Sequence, residues 1–305
     1  WLAMPTTSPR WRTLPLMGRI QGRAGDFLQL VTEPSDLVLA DSSALTFYGR
    51  RANTYSAASL SEGAARSGQI AWSDAGAAHR LADELDGALP ARVLVDTATE
   101  YSQLSALRDW GAFSAWLDEH YGPPAGHLRR HHQVYLVYAP RERSLESRST
   151  ARFEGGPMLL GAGPVSASAG PDEPIAVRTA WRVDELPGRD LAAHCTLVDG
   201  SGREWAQVDA AVFASGTGSL RRRTSSDWEP GELLSDRLVL RVPPGTPPGP
   251  YQVTLALYDA ETQARLEAVE PGRPGSSQQL GVGSVTVRPT RGGRRWSSRT
   301  GLLWS

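Results

Sequence analysis

The sequence predicts a small three-layer α/β domain with a short parallel sheet, followed by an antiparallel β-sandwich. In residues 20–145, short apolar runs without alternation are joined by stretches of helical periodicity. In residues 146–289 the period changes to two, and turns rich in glycine, proline and aspartate separate the runs. The chain of 305 residues is long enough for two cores of this kind.

Alternating strands and helices predict the α/β domain. Leu37–Ala40 and Val93–Val95 are apolar runs that stop at a polar residue, as strands buried on both faces do. Residues 79–89 place leucines four apart, and residues 101–120 repeat apolar side chains every three to four positions, so both predict helices. Residues 134–138 predict a final strand. The order β-α-β-α-β is typical of a three-layer domain.

Alternating runs predict the strands of the sandwich. They cover residues 158–162, 175–183, 191–198, 204–212, 237–242, 251–258, 265–269 and 282–287. The segment Asp199-Gly200-Ser201-Gly202 predicts a tight hairpin between two of them, because glycine supplies the positive φ that such turns need. A charged connector, 141–152, marks the predicted domain boundary. The arginine-rich tail, 290–305, has no pattern and predicts disorder.

Composition excludes several classes of function. A net charge of -1 gives no electrostatic basis for binding nucleic acid. All 32 basic residues are arginine, which excludes a Schiff-base lysine and a phosphate-binding P-loop. The single cysteine, Cys195, cannot form an intrachain disulfide, and its alternating apolar neighbours predict a buried strand position. No apolar stretch approaches the length of a membrane span, and no signal peptide is visible.

Two aspartates follow the predicted parallel strands, at the edge where open α/β sheets bind ligands. They are Asp41, with Ser43 close by, and Asp96. As a phosphatase nucleophile Asp41 would need a second aspartate where Ser43 stands, and a Mg²⁺ site that nothing in the sequence signals. Capping of the following helix or turn is the other explanation, and it suits aspartate and serine well. We therefore expect no catalytic residue at this edge.

Other residues bear on metals, cofactors and sugars. His127, His131 and His132 suggest a metal site, but arginines surround them and no carboxylate lies nearby in sequence, so no metal is expected. The glycine-rich run 215–219 opens no helix, so no phosphate-binding loop and no cofactor are expected. Trp228 lies in a predicted loop, where it would either stack on a sugar ring or pack across the mouth of the sandwich.

Several segments carry a resemblance to a known family. In the first unit they are Glu33–Asp41, Phe47–Arg51 and Gly68–Ile70. In the second unit they are Ala180–Arg182, Leu197–Arg203, Trp228–Glu232, Pro248–Tyr251 and Leu257–Asp259. Together they resemble the region that follows the last membrane helix in certain bacterial GT-C type glycosyltransferases, similar to the family-39 mannosyltransferase and arabinosyltransferase group. The resemblance covers about residues 20–288 and consists of turns and strand edges more than of catalytic residues.

The resemblance implies a soluble, non-catalytic accessory region of a polytopic enzyme that transfers a sugar from a polyprenyl-phosphate donor outside the cytoplasm. In that family the catalytic acid lies in the membrane region, so no catalytic residue is carried over. The chain begins with Trp1, and residues 1–19 are expected to follow a membrane region that is missing. Expected partners are that membrane region and a glycan or lipid-linked sugar. The candidates for contact with substrate are Asp41, Tyr48, Arg50, Asp96 and Trp228.

Two alternatives stay open. The sandwich could act as a carbohydrate-binding or adhesion module, which predicts polysaccharide binding that is lost in Trp228→Ala. The first domain could be an independent phosphatase-like hydrolase, which predicts phosphoesterase activity that depends on Asp41. On the favoured interpretation the chain lies at the extracytoplasmic face of a bacterial membrane, as part of an integral membrane protein.

Overall fold

The computed structural model describes residues 24–40, 45, 49–50, 52–53, 85, 87, 89–97, 111–130, 133–141, 145, 150–211 and 224–289. In this part the chain is mostly β, and fifteen strands form one ten-stranded and one five-stranded sheet, both mixed. Helices α1 (residues 24–31) and α2 (Gly111–His120) accompany them. No helix of the described part is long and apolar enough to cross a membrane.

Each sheet draws strands from distant parts of the chain. The ten-stranded sheet contains β1 (Leu37–Ala40), β2 (Ala52–Asn53), β3 (Arg92–Asp96), β4 (Gly126–Arg130), β5 (Gln133–Tyr138), β6 (Ala151–Phe153), β7 (Met158–Pro164), β9 (Pro174–Arg182), β12 (Glu232–Arg241) and β14 (Ala268–Val269), in the order β14-β6-β7-β9-β12-β4-β5-β3-β1-β2. The five-stranded sheet contains β8 (Ser168–Ala169), β10 (Leu191–Val198), β11 (Glu204–Ala211), β13 (Gly249–Asp259) and β15 (Leu280–Val287), in the order β11-β10-β13-β15-β8.

The two predicted parallel strands are present as β1 and β3, and they pair in parallel. The predicted last strand of the first unit is β5, but it runs antiparallel to β3, so this part of the sheet is mixed. Sequence reasoning missed β4, because the run Gly126–Arg130 has a single large apolar side chain and no visible alternation. β4 and β5 form an antiparallel hairpin. The predicted helix 79–89 lies largely outside the described residues, whereas 111–120 are helical as predicted.

β4 joins the two predicted units into one sheet. It pairs in parallel with β12, with His127 opposite Glu232. The His127 amide also donates to the Gly231 carbonyl oxygen at 2.9 Å. Gly126 permits this close approach, because a Cβ there would stand 2.7 Å from a leucine side chain of β12. One hydrogen-bonded sheet therefore contains strands from both sides of the predicted boundary at 141–152.

The two sheets pack face to face over a common core, in agreement with the predicted sandwich. Trp181 and Phe153 are both fully buried there, with ring centroids 5.8 Å apart. The predicted strands of this unit recur with shifted ends, and β12 begins at Glu232 rather than at 237. Its first residues were missed because Glu232 and Ser235 are polar yet buried, which breaks the alternation. One pair, β15 with β8, is parallel.

Helix α1 covers the outer face of the ten-stranded sheet. Phe27 and Leu28 of α1 are buried in a cluster that includes Leu160 of β7 and Ala180 of β9. The neighbouring residues of these strands, such as Trp181, turn to the opposite face and into the sandwich core. The central strands of the sheet are therefore buried on both faces, by α1 on one side and by the second sheet on the other.

Candidate functional site

The carboxyl edge of β1 and β3 is where the sequence predicts contact with substrate. Because these strands are parallel, their last residues, Ala40 and Asp96, lie at the same edge. The Thr97 amide extends the sheet there by donating to a carbonyl oxygen of β5 at 2.8 Å. Asp41 and Tyr48 lie outside the described residues. Asp96 is thus the last residue of β3, at the edge where β1 also ends, and its contact with substrate stays a prediction.

The turn before β2 contains Gly49 and Arg50, two residues of the family resemblance. Gly49 lies so close to α1 that an added Cβ would stand 3.0 Å from Leu28 Cδ1. Arg50 is exposed and has a left-handed φ of 52°. That conformation costs a side-chain-bearing residue roughly 1–2 kcal/mol. Gly49 therefore has a packing role, while Arg50 stays a surface candidate for ligand contact.

The histidine-rich segment meets the loop after Trp228 at the junction of β4 and β12. Arg129 Nη2 forms an ion pair with Glu229, and His127 Nε2 lies 3.7 Å from Glu229 Oε2. The carboxylate that the local sequence lacks is thus supplied from a distant loop. His131 and His132 lie outside the described residues. In the described part of the chain, no three His, Cys, Asp or Glu side chains are placed to hold a metal ion.

Trp228 is buried, with 3% of its surface exposed, and it belongs to the core of the sandwich. Stacking on a sugar ring is therefore the wrong explanation of this residue, and packing is the right one. A 3-10 turn, Ser225–Asp227, precedes it and is closed by a capping box with Thr224. Ser225 Oγ fixes the turn to the sandwich by donating to the Arg189 carbonyl oxygen at 2.7 Å.

A charge cluster, made of Asp26, Arg178 and Arg237, fastens α1 to the sandwich. Asp26 is only 5% exposed. Arg237 Nη2 donates to both of its carboxylate oxygens, at 2.8 and 2.6 Å, and Arg178 Nη1 lies 3.5 Å from Oδ1. Arg178 also donates to Gln29 Oε1 at 2.5 Å. The two arginines are direct cross-strand neighbours, so Asp26 screens a pair of like charges that would otherwise repel.

A second polar network lies on the outer face of the five-stranded sheet. His194 Nδ1 lies 2.8 Å from Asp209 Oδ1, and the Tyr258 hydroxyl donates to the same oxygen at 3.2 Å. Burial and the nearby Asp209 carboxylate raise the pKa of Tyr258. A carboxylate that orients an imidazole occurs in general-base dyads. Here the three groups satisfy one another across three strands, which is how cross-strand polar contacts stabilise a sheet.

The hairpin segment Asp199–Arg203, another part of the resemblance, uses its polar groups internally. The Asp199 carboxylate accepts hydrogen bonds from Ser201 N at 2.8 Å, from Ser201 Oγ at 2.6 Å and from Trp205 Nε1 at 2.7 Å. These bonds hold the pKa of Asp199 well below its ordinary value. The Arg203 guanidinium lies 4.4 Å from the centroid of the Trp205 ring. The motif therefore closes its own turn.

No family model matches the chain, and no curated protein matches it. Among solved structures, it is similar to a β-glucuronidase of Bacteroides uniformis, with 13% identity over 45% of this chain and 15% of that one at a TM-score of 0.24. It is also similar to the alkylpurine DNA glycosylase AlkC of Pseudomonas fluorescens, bound to DNA containing an abasic site analogue, with 12% identity over 72% and 50% of the two chains at a TM-score of 0.25. An endonuclease/exonuclease/phosphatase protein of Beutenbergia cavernae gives 12% identity over 45% and 29% at a TM-score of 0.19. The chain spans half or less of each of these structures. These similarities give no basis for assigning a function.

Proposed function

We propose that the chain is a soluble, non-catalytic accessory region of a bacterial membrane glycosyltransferase that takes its sugar from a lipid-linked donor outside the cytoplasm. The proposal starts from the resemblance of its segments to the region that follows the last membrane helix of GT-C type enzymes. In this proposal, the region supports the membrane part of the enzyme and contacts the acceptor or the lipid-linked sugar at the sheet edge that includes Asp96.

The roles of the resembling segments carry this proposal. Gly49 allows α1 to pack closely, Asp199 closes a hairpin, and Trp228 fills the sandwich core. The Tyr251 hydroxyl donates to the Pro247 carbonyl oxygen at 2.8 Å, which fixes a further turn. These residues maintain the fold and take no part in a reaction. Such structural roles are what we expect of the residues that a non-catalytic accessory region has in common with related proteins.

We also infer that residues 20–145 form a three-layer α/β unit around their own part of the ten-stranded sheet. The buried side chains of β1 alternate between two clusters. Val38 belongs to the cluster with Phe27 of α1, whereas Leu39 belongs to the cluster with Trp116 and Leu117 of α2. Helical side chains on both faces of the same strand are typical of three-layer α/β domains.

The DNA upstream of the codon for Trp1 provides the first test. The same reading frame should encode several apolar segments of spanning length. A start codon followed by a signal peptide would contradict the proposal.

The second test uses the complete reading frame, expressed in bacterial membranes and supplied with a radiolabelled polyprenyl-phosphate sugar. If the described region is non-catalytic, Asp96→Asn should keep sugar transfer near the wild-type level, with any change confined to the apparent affinity for the acceptor. Loss of turnover in Asp96→Asn at unchanged expression and thermal stability would show that the region carries catalytic chemistry. The matched control is Asp209→Asn, which lies on the outer face of the other sheet.

A further inference from the structure

An Asp–Gly bond lies in the exposed hairpin turn between β10 and β11. The sequence contains two such bonds, Asp86–Gly87 and Asp199–Gly200, and the structure describes both residues of the second. Gly200 is exposed, and a Cβ added to it would meet nothing within 4 Å apart from its chain neighbours. Because glycine has no side chain, its amide nitrogen is open to close approach. The turn therefore leaves room for a reaction between this nitrogen and the aspartate side chain.

Such a bond can rearrange with no reagent other than water. The Gly200 amide nitrogen attacks Asp199 Cγ and loses its proton, and a carboxyl oxygen leaves as water, which closes a succinimide ring. Hydrolysis then adds one water molecule and opens the ring at either carbonyl group. Opening at the α-carbonyl leaves the main chain running through Cγ, so the product is isoaspartate, with the composition of the starting chain and a backbone longer by one methylene group. Ring closure requires a protonated carboxyl group, because a carboxylate oxygen is a poor leaving group.

Four donors hold the Asp199 carboxylate in the folded chain. Oδ1 accepts from the Ser201 amide at 2.8 Å, from Ser201 Oγ at 2.6 Å and from the Arg203 amide at 3.1 Å. Oδ2 accepts from Trp205 Nε1 at 2.7 Å. These bonds stabilise the ionised form and lower the pKa of Asp199, so the protonated group that the reaction needs is scarce. Ring closure would also break hydrogen bonds, since either oxygen that could leave is an acceptor.

The backbone on both sides of the turn adds a second restraint. The Asp199 amide donates to the Arg203 carbonyl oxygen at 3.0 Å, and the Gly202 amide donates to the Asp199 carbonyl oxygen at 3.0 Å. Val198 and Glu204 form the register pair that flanks the turn. An isoaspartate would insert an extra atom inside this closed ring of hydrogen bonds and would displace the register of β11.

We propose that Asp199–Gly200 is an isoaspartate-forming site that the folded hairpin keeps unreactive, and that the Trp205 indole N–H controls its rate. The three bonds to Oδ1 come from the turn itself, as in other turns that begin with aspartate. The bond to Oδ2 comes from β11, so it forms only when β11 pairs with β10. Trp205 thereby couples the chemical lifetime of the turn to the pairing of the strands that it connects.

Incubation of the full chain in water enriched in oxygen-18 tests this proposal. The buffer is held at about pH 5, where an ordinary aspartate is still partly protonated, and the temperature stays below the unfolding transition. Each hydrolysis of a succinimide takes up a heavy oxygen, which mass spectrometry detects in the tryptic peptide 190–203. Methylation of the digest by an isoaspartyl methyltransferase then measures isoaspartate. The same chain incubated in urea gives the rate of the unfolded turn.

Trp205→Phe keeps an aromatic ring but removes the donor to Oδ2, and it should form isoaspartate about ten-fold faster than the native wild type, as the loss of one hydrogen bond to a charged group predicts. The matched control is Tyr251→Phe. It removes a hydrogen bond to the Pro247 carbonyl oxygen in a neighbouring turn, leaves every donor to Asp199 in place, and should keep the wild-type rate. Adding Gly200→Ala to Trp205→Phe should suppress the reaction, since the new methyl group shields the attacking nitrogen.

Equal rates for the wild type with and without urea would overturn the proposal, because the folded turn would then give no protection. A wild-type rate in Trp205→Phe would overturn the role of the indole N–H, and so would equal acceleration in Trp205→Phe and Tyr251→Phe. If Trp205→Phe fails to fold, Ser201→Ala replaces it, since it removes one donor within the turn. Faster isoaspartate formation in Ser201→Ala at an unchanged urea midpoint would support the proposal, and an unchanged rate would overturn it.

Discussion

Removal of the Asp26 carboxylate tests how the two halves of the fold are held together. In Asp26→Ala, the Arg178 side chain, which is 16% exposed, loses its charge partner and keeps only the hydrogen bond to Gln29. The Arg237 side chain is 47% exposed and can turn to water. Breaking a buried pair typically costs about 3–5 kcal/mol and an exposed one about 0–1 kcal/mol. Since this cluster lies between the two cases, we expect Asp26→Ala to lower the free energy of unfolding by about 2–3 kcal/mol.

Urea denaturation of the full chain, followed by tryptophan fluorescence and far-UV circular dichroism, measures this change. The matched control is Glu270→Ala, which removes the partner of Arg273 in an exposed ion pair at 2.7 Å and should cost about 0.5 kcal/mol or less. Replacing Asp26, Arg178 and Arg237 together by apolar residues of similar volume should recover most of the loss, because no charge is then left buried without a partner.

Two results would refute this reasoning. Asp26→Ala and Glu270→Ala could prove equally mild, which would mean that the cluster is screened like any surface pair. Alternatively, Asp26→Ala could make the two spectroscopic transitions separate, which would mean that the halves unfold independently despite their shared sheet. A single transition shifted to lower urea, with an unchanged slope, is the result that we expect.

Four further predictions concern single positions. Gly126→Ala should lower the free energy of unfolding by about 2 kcal/mol, because its Cβ would stand 2.7 Å from a leucine carbon of β12. The control Gly200→Ala meets open space and should be neutral. Equal urea midpoints for the two variants would contradict this. Trp228→Ala should cost about 3–5 kcal/mol in the same assay, and a smaller loss would show that Trp228 is not a core residue. Cys195 should resist iodoacetamide at about pH 8 until urea unfolds the chain, and rapid labelling of the native protein would contradict its burial. Hydrogen bonds lower the pKa of Asp199, so its contribution to stability is present above its ordinary pKa of about 3.9 and is lost as the pH falls further. Asp199→Asn should therefore reduce stability at neutral pH and make stability fall less steeply in acid. Identical pH profiles of thermal stability for the two proteins would contradict this.

Local pattern was sufficient to predict most of the strands and the hairpin at Asp199, because both depend on short-range features. The run Leu37–Ala40 is a strand as its continuous apolar character predicts, and β10 ends where Asp199 begins the turn. The partner of His194 was harder to predict. Without a bulge, the hairpin would pair His194 with Val208 and would turn that valine to solvent. The register shifts at the start of β11, which returns Val208 to the core side and brings Asp209 opposite His194.

The junctions between the two units could not be predicted, because they depend on long-range contacts between unremarkable segments. β4 has the sequence of a basic loop, and nothing in it signals a parallel pairing with β12. The Asp26 carboxylate lies on a short helix where a solvated position is the ordinary expectation, and its two arginines lie far along the chain. Similarly, Trp228 follows polar residues in sequence, and only the folded sandwich shows that it is enclosed.

The change of hydrophobic period near residue 150 reflects what covers the strands on either side of it. A strand buried on both faces, such as β1, reads as a continuous apolar run. β9 is also covered on both faces, by the sandwich core and by α1, yet it alternates because the outward side chains beneath α1 include the polar Arg178 as well as Ala180. A charge cluster beside a covering helix can therefore give a strand the alternating sequence of a solvent-facing one. If the Asp26 variants unfold as we expect, the region from α1 to β15 behaves as one cooperative body.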